Sequence, residues 1–443
     1  MSDVEALESA KAALYGRITG DEDARVCRDI PDSACDEQPH NFFAYLVANL
    51  FGKVADEIAS AKLVIPWLFG SLGVPAVFTG FLVPIREAGV LVPQLAVAAY
   101  VRRMPKRKPV WIVGALLSAA SLLAMAGAAV MFSGAAAGAA IIAALVVFSL
   151  ARGLCSVSAK DVLGKTISKS RRGTLMGWSA GLSGVAILAV GFTLGVAGET
   201  DNGVTVFVAL LTLAAILWVL AALAFSGIRE SAGATEGGGN ALSVAIKQLR
   251  LLVDDHPFRR FVIARALLLS AALLPPFYVL IAQQTSDAGL LGLGVLIVAN
   301  GLAGSLSSPV WGYLGDRSSR SVMVIAATGV GAMGLLTFAA VEFAWSWATG
   351  ELGLAIGFML LSIMHGGIRL GRKVYLVDMA DSTTRAAYVA VSNTVIGVLM
   401  LFGGLVGLFA DWFGVSFVVL MLALLSLAAA AFIRRLPDVS LPA

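Results

Sequence analysis

"GTLMGWSAGLSGVAILAVGFTLGVAGETDNGVTVFVALLTLAAILWVLAALAFSGI", residues 173–228, contains no lysine or arginine. A bilayer-spanning helix needs about 20 apolar residues. The interval therefore holds two such helices, with the turn "AGETDNG" (197–203) between them. Residues 321–368 and 386–433 lack lysine and arginine in the same way. The rest of the chain agrees: 58% of it is hydrophobic and only 14% charged, where an ordinary globular domain is about half apolar and about a quarter charged. Its 47 glycines suit helices that approach closely in lipid. The reading is an all-α, multi-pass membrane protein, monomeric, with the lipid bilayer as its surroundings.

Adding the less uniform apolar segments gives twelve spans: 43–70, 75–101, 109–132, 138–163, 173–196, 204–227, 258–283, 289–313, 321–342, 352–377, 387–409 and 415–434. The loops "RRMPKRK" (102–108), "KTISKSRR" (165–172), residues 229–260 and "IRRLP" (433–437) fall on one side. The opposite loops, such as "VEFAWSWATGE" (341–351), carry no lysine or arginine. The positive-inside rule then places both termini in the cytoplasm, in a bacterial type of inner membrane.

"SAGATEGGGN" (231–240) is a low-complexity joint that divides the chain. Leu242, Ile246, Leu249 and Val253 follow it at helical spacing, which predicts an interfacial helix. The organisation expected is a cytoplasmic segment (1–40), a six-helix bundle (41–228), a linker (229–257), a second six-helix bundle (258–436) and a tail (437–443). A shift of 213 residues lays "YVRRMPKRKPV" (100–110) on "YLGDRSSRSVM" (313–323) and Lys160 on Lys373. One offset fitting separated landmarks points to internal duplication.

"GYLGDRSSR" (312–320) resembles the cytoplasmic signature of the major facilitator superfamily, roughly G-x-L-x-D-R-x-G-R, with Ser319 where the Gly usually stands. "LARG" (150–153) is similar to the Arg-Gly pair of its fourth helix, and "PIREAG" with "LVPQL" (84–95) resembles a bacterial permease subgroup of unassigned substrate. The resemblance implies two pseudo-symmetric six-helix bundles around a central site open alternately to each side. It also implies a cytoplasmic gate at Asp316, Arg317 and Arg320. Asp316 is expected beside the start of the eleventh span, near Arg385, where a helix N-terminus favours an anion.

Charges at membrane depth are costly and usually functional. Asp56 and Glu57 fall near the middle of span 1, Arg86 and Glu87 in span 2, Arg152 in span 4, Asn300 in span 8 and His365 in span 10. Arg152, Ser156 and Lys160 recur at four-residue intervals, so they share a helical face. His365, Arg369 and Lys373 do the same, and the 213 shift superimposes the two triplets. Arg86, Arg152, Ser156, Asn300, His365 and Arg369 are the candidate substrate-binding residues. Asp56, Glu57 and Glu87 are the candidate proton carriers, and Lys160 and Lys373 join the gate. Neighbours on a helix are about 100° apart, so Arg86 and Glu87 need separate partners. Arg86 is expected on Asp56 or Glu57, and Glu87 on Arg152. The blander pairings are Lys53 with Glu57, and Lys160 and Lys373 with Asp161 and Asp378.

These residues point to a secondary transporter of a small polar solute, anionic because arginine forks match carboxylate and phosphate, and coupled to protons. The alternative is an exporter of cationic or amphiphilic compounds that uses the three carboxylates. An enzyme is not expected, since no H-E-x-x-H or nucleophile–base pair occurs. "AKDVLGKT" (159–166) lacks the first Gly of a phosphate loop and follows no strand. A net charge of +4 confined to loops gives no footing for nucleic acid. Cys27, Cys35 and His40 are too loosely spaced for a metal site, so reduced thiols, no metal and no cofactor are expected.

Overall fold

The structure, a computed structural model, describes residues 11, 14–18, 30, 32–91, 97, 100–101, 103–196, 203–233, 248–285, 289–380 and 384–439. All regular structure among them is helical. In the N-terminal half α1 is Gln38–Ile58, α2 Val64–Ser71, α3 Ala76–Leu91, α4 Lys108–Met131, α5 Gly134–Thr166, α6 Lys169–Val196 and α7 Gly203–Ser226. In the C-terminal half α8 is His256–Leu267, α9 Leu269–Thr285, α10 Gly289–Arg317, α11 Ser319–Glu342, α12 Glu351–Met379, α13 Arg385–Gly403, α14 Val406–Phe413 and α15 Val415–Ile433.

Ten stretches among the described residues are long and apolar enough to cross a membrane, α8–α9 counting as one and α13–α14 as another. They match ten of the twelve expected spans. The first expected span differs, and the second is described only in part. Where 43–70 should run unbroken, the helix stops at Ile58 and resumes at Val64. Pro66 explains the break: it has no N–H to give the Lys62 carbonyl, and its ring would strike that carbonyl in a continuous helix. Leu63 and Ile65 instead donate to the Ser60 carbonyl. Within 75–101, α3 is described as far as Leu91 and residues 97, 100 and 101 are again helical, while residues 92–96 and 98–99 lie outside the described residues. So do Cys27, residues 241–247 of the expected interfacial helix and most of the N-terminal segment. Cys35 is disulfide-bonded, which overturns the expectation of a reduced thiol there.

Several helix starts draw acceptors from distant sequence. Asp255 caps α8 through the Phe258 N–H (2.9 Å), and Ser318 caps α11 through that of Ser321 (3.1 Å). The buried Glu230 carboxylate, beyond the end of α7, accepts from the backbone N–H groups of Arg107 and Lys108 at the start of α4. Such helix ends carry unsatisfied N–H groups and partial positive charge, so a carboxylate serves both needs.

Within the N-terminal half α4 packs on α5 and α7, and α1 on α6 and α7; in the C-terminal half α11 packs on α12 and α15, and α10 on α12. The halves meet where α6 lies along α10, and where α3 lies along α9, α13 and α14. Two glycine contacts set the spacing of this seam. A Cβ on Gly294 would stand 2.6 Å from the Gly191 carbonyl, and one on Gly407 2.7 Å from the Ala76 carbonyl. On the face opposite the basic loops, Asp411 accepts from the N–H groups of Ala76 (2.7 Å) and Val77 (2.9 Å), capping α3 from the other half of the chain. Gln283 adds bonds to the Trp67 carbonyl and Ser71 hydroxyl, 3.1 Å each.

Asp411→Ala should therefore loosen the seam on that face. Hydrogen bonds to a charged group are worth about 1.5–3 kcal/mol each, so losing both should move the open–closed balance by at least about tenfold. Nitroxides at the exposed Phe132 and Trp412 would report it by electron–electron distance measurement. An unchanged distance distribution would refute the latch.

Candidate functional site

The charges in the membrane layer form one connected group, and Asp56 is its hub. Arg152 binds Asp56 with both arms of its fork, Nε at 3.0 and 3.2 Å and Nη2 at 2.7 Å. Arg86 adds a contact at 3.3 Å. Arg152 lies over the Trp218 ring at 4.2 Å, and Arg86 over the Phe148 ring at 5.2 Å. Gly52 makes room for that indole, since a Cβ there would touch it at 3.1 Å. One carboxylate thus ties α1, α3 and α5, while α7 supplies an aromatic face.

Arg86 takes the partner its helical position predicts. Glu87 does not: Arg152 goes to Asp56, and Glu87 stands 3.9 Å from Lys62. The reason is the α1–α2 break, which brings the Lys62 ammonium into the layer as a nearer cation. Lys62 also lies 3.2 Å from Nε2 of His365. An ammonium only donates, so this ring nitrogen accepts and the proton of a neutral ring sits on Nδ1. The contact joins the two halves at mid-depth. Sequence reading had passed over Lys62 as a helix residue; Pro66, four residues later, was the available signal.

Glu57 is exposed and has no ion pair among the described contacts, so the expected Lys53–Glu57 pair is absent there. Its charged neighbours are Asp56, Lys62, Arg369 and Arg86. Arg369 is exposed and sends its charge toward Glu57, Lys62 and Glu87. Arg372, one turn further on, faces Glu87 and Arg369. Lys373 is exposed and within electrostatic reach of Lys160. Lys160 and Lys373 are the members of the two triplets described as within reach of each other. Ser156 is half-buried on α5 and Asn300 half-buried on α10, with no hydrogen bond described for either side chain.

Toward the basic loops the arrangement differs from the sequence expectation. Asp161 pairs with Arg107 at 3.3 Å, not with Lys160. Lys165 reaches Glu230 at 3.0 Å. Arg317 stacks on Tyr313 at 4.4 Å and bonds its hydroxyl. Arg320 binds the Leu436 carbonyl (3.0 Å) and Asp438 (3.4 Å). Asp316 ends α10, which packs along α6 and α12, and no bond from it to α13 is described. The Arg385 side chain lies outside the described residues.

The group can hold and exchange charge, but among the described residues no cluster could bind a metal. Nothing in it pairs a nucleophile with a base: the thiol of Cys155 is buried and bonds the Trp111 carbonyl.

The Major Facilitator Superfamily profile matches residues 261–442. No curated protein matches the chain significantly. Solved structures do. The nucleoside transporter NupG is 15% identical, covering 89% of this chain and 98% of its own, with a TM-score of 0.67. The inward-open xylose transporter XylE from E. coli is 14% identical, covering 90% and 96%, with a TM-score of 0.64. A POT family transporter in complex with 5-aminolevulinic acid is 11% identical, covering 92% and 98%, with a TM-score of 0.70. At such identities the likeness is one of fold. The profile match lies in the C-terminal half, and the whole chain shares the fold of these transporters.

Proposed function

We propose that the protein is a secondary transporter of a small polar organic anion, driven by protons, with the solute held between two six-helix bundles. In this reading spans 43–70 and 75–101 complete a twelve-span plan, both termini are cytoplasmic and the chain acts as a monomer. The observation that carries it is the charge imbalance at mid-depth. Lys62, Arg86, Arg152, Arg369 and Arg372 stand against Asp56, Glu57 and Glu87 alone. Uncompensated cations at this depth are costly unless something anionic joins them.

The roles divide by geometry. Arg152 and Arg86 are committed to Asp56, so they hold the scaffold. Arg369, exposed and without a described ion pair, is the cation free to meet the solute. Glu57 is the proton carrier, because it is exposed and no arginine clamps it as Asp56 is clamped. Solved neighbours include a D-xylose-proton symporter and a complex with 5-aminolevulinic acid, so a similar fold accommodates both parts of the proposal. The cation-exporter reading is weaker. It needs carboxylates to bind a cation, and Asp56 already has two.

Three expectations follow, tested on purified protein and in proteoliposomes. Arg369→Gln should weaken binding of the transported anion at least about tenfold, in line with one lost charge-assisted hydrogen bond, while the melting temperature stays near wild type. Arg152→Ala should instead destabilise the fold by about 1.5–3 kcal/mol, since it removes the forked bond and leaves Asp56 with Arg86 alone; Asp56→Asn in the same chain should restore much of it. If both arginine variants behave alike, the division of roles is wrong. Glu57→Gln should keep solute counterflow and lose accumulation driven by a pH gradient. Normal accumulation in that variant would move the coupling to Glu87. If no anion in a broad panel supports counterflow, the function itself is refuted.

A further inference from the structure

Arg265 plays no part in the cluster around Asp56, yet it is the most deeply buried charge in the C-terminal half. It is only 7% exposed. It lies nine positions after His256, at the start of α8, or about 13 Å into the layer at 1.5 Å per residue. Its Nη1 donates to the Ser392 hydroxyl (2.7 Å) and to Asn393 Oδ1 (3.3 Å), and its Nη2 donates to the same Asn393 oxygen (3.2 Å). Its Nε is buried without a partner. Phe261 offers only a ring at 6.0 Å. The one charged group within electrostatic reach is Arg372, another cation.

Among the described residues, no carboxylate answers this pair from its own half. Asp255, on the same helix, is about three turns away, and its oxygens are taken by the Phe258 N–H and the Tyr388 hydroxyl. Arg372 faces Glu87 across the seam, but Glu87 already has Lys62. A guanidinium held by two neutral acceptors with one N–H unused is an anion site awaiting its anion. Serine and asparagine orient it without neutralising it, as a site that must bind and release requires.

We propose that Arg265 and Arg372, oriented by Ser392 and Asn393, form an oxyanion subsite that takes a second anionic group of the transported solute, a carboxylate or a phosphate. This rests on the anion-transporter reading above and sharpens it to a solute with two anionic groups. Arg369 meets the first group. Arg372 is three residues further along α12 toward the basic loops, so the second group sits about 5 Å away along that axis, near one helical turn.

Inorganic phosphate is the probe, titrated at constant ionic strength against the full-length protein in detergent, with the melting temperature as readout. Phosphate should raise the wild-type melting temperature saturably. Arg265→Gln and Arg372→Gln should each weaken its apparent affinity at least tenfold. Asn393→Ala tests the site without removing a charge: it frees two N–H directions on Arg265 and should tighten phosphate severalfold. It also serves if Arg265→Gln does not fold. No saturable phosphate effect in the wild type, undiminished affinity in Arg265→Gln, or unchanged affinity in Asn393→Ala would each overturn the subsite. Its failure is separable from failure of the transport reading. If anions drive counterflow but phosphate binding ignores Arg265, the subsite falls and transport stands. If phosphate binds through Arg265 but no anion is transported, the subsite stands and transport falls.

Discussion

One carboxylate in the membrane layer organises the N-terminal half. Asp56 is placed where an ionised group is expensive, and it persists because two guanidiniums meet it, one of them in a fork. Those cations would be equally expensive alone. Each rests on an aromatic ring, Trp218 or Phe148, which replaces some of the lost hydration. The mutual need fixes the relative positions of α1, α3, α5 and α7. It also uses up the charges that look most functional in sequence, leaving Glu57 and Arg369 as the uncommitted pair.

The same device recurs at the basic face, once in each half. Glu230, just past α7, seats its carboxylate on the start of α4 and is met by Lys165. Asp438, just past α15, bonds Ser318, the cap residue of α11, at 2.5 Å and pairs with Arg320. In both cases the chain leaving the last helix of a half returns an anion to the helix that follows the signature loop. The neighbouring links agree. Tyr375 bonds the Pro437 carbonyl (3.0 Å), and Arg260 bonds that of Arg435 (2.5 Å). The tail is therefore a structural part of its half.

Much of the fold was legible because lipid imposes long apolar runs, and ten of them appear within a few residues of the expected spans. The break at 59–63 was not read, since hydropathy averages across it; only Pro66 betrays it. Helical angles separated Arg86 from Glu87, and Asp56 is one of the two carboxylates expected to meet Arg86. The Arg152–Glu87 pairing failed because angles rank partners only among residues already noticed, and Lys62 had been counted as part of a continuous helix. Arg265 was missed for a different reason. It lies in the basic-side third of its span, from which a long side chain can snorkel to the surface, and sequence cannot show that this one turns inward to Ser392 and Asn393.

The broken first helix also bears on how the halves communicate. An unbroken helix would carry Lys62 around with its neighbours at 100° steps, and its ammonium would belong to one half only. The break lets it lie between Glu87 on α3 and His365 on α12, a polar bridge at mid-depth across the seam. Its two partners differ in kind: one is an anion, the other a neutral ring accepting a hydrogen bond. One cation thus ties α3 to α12, and it can do so because the break in the first helix frees Lys62 from the helical positions of its neighbours.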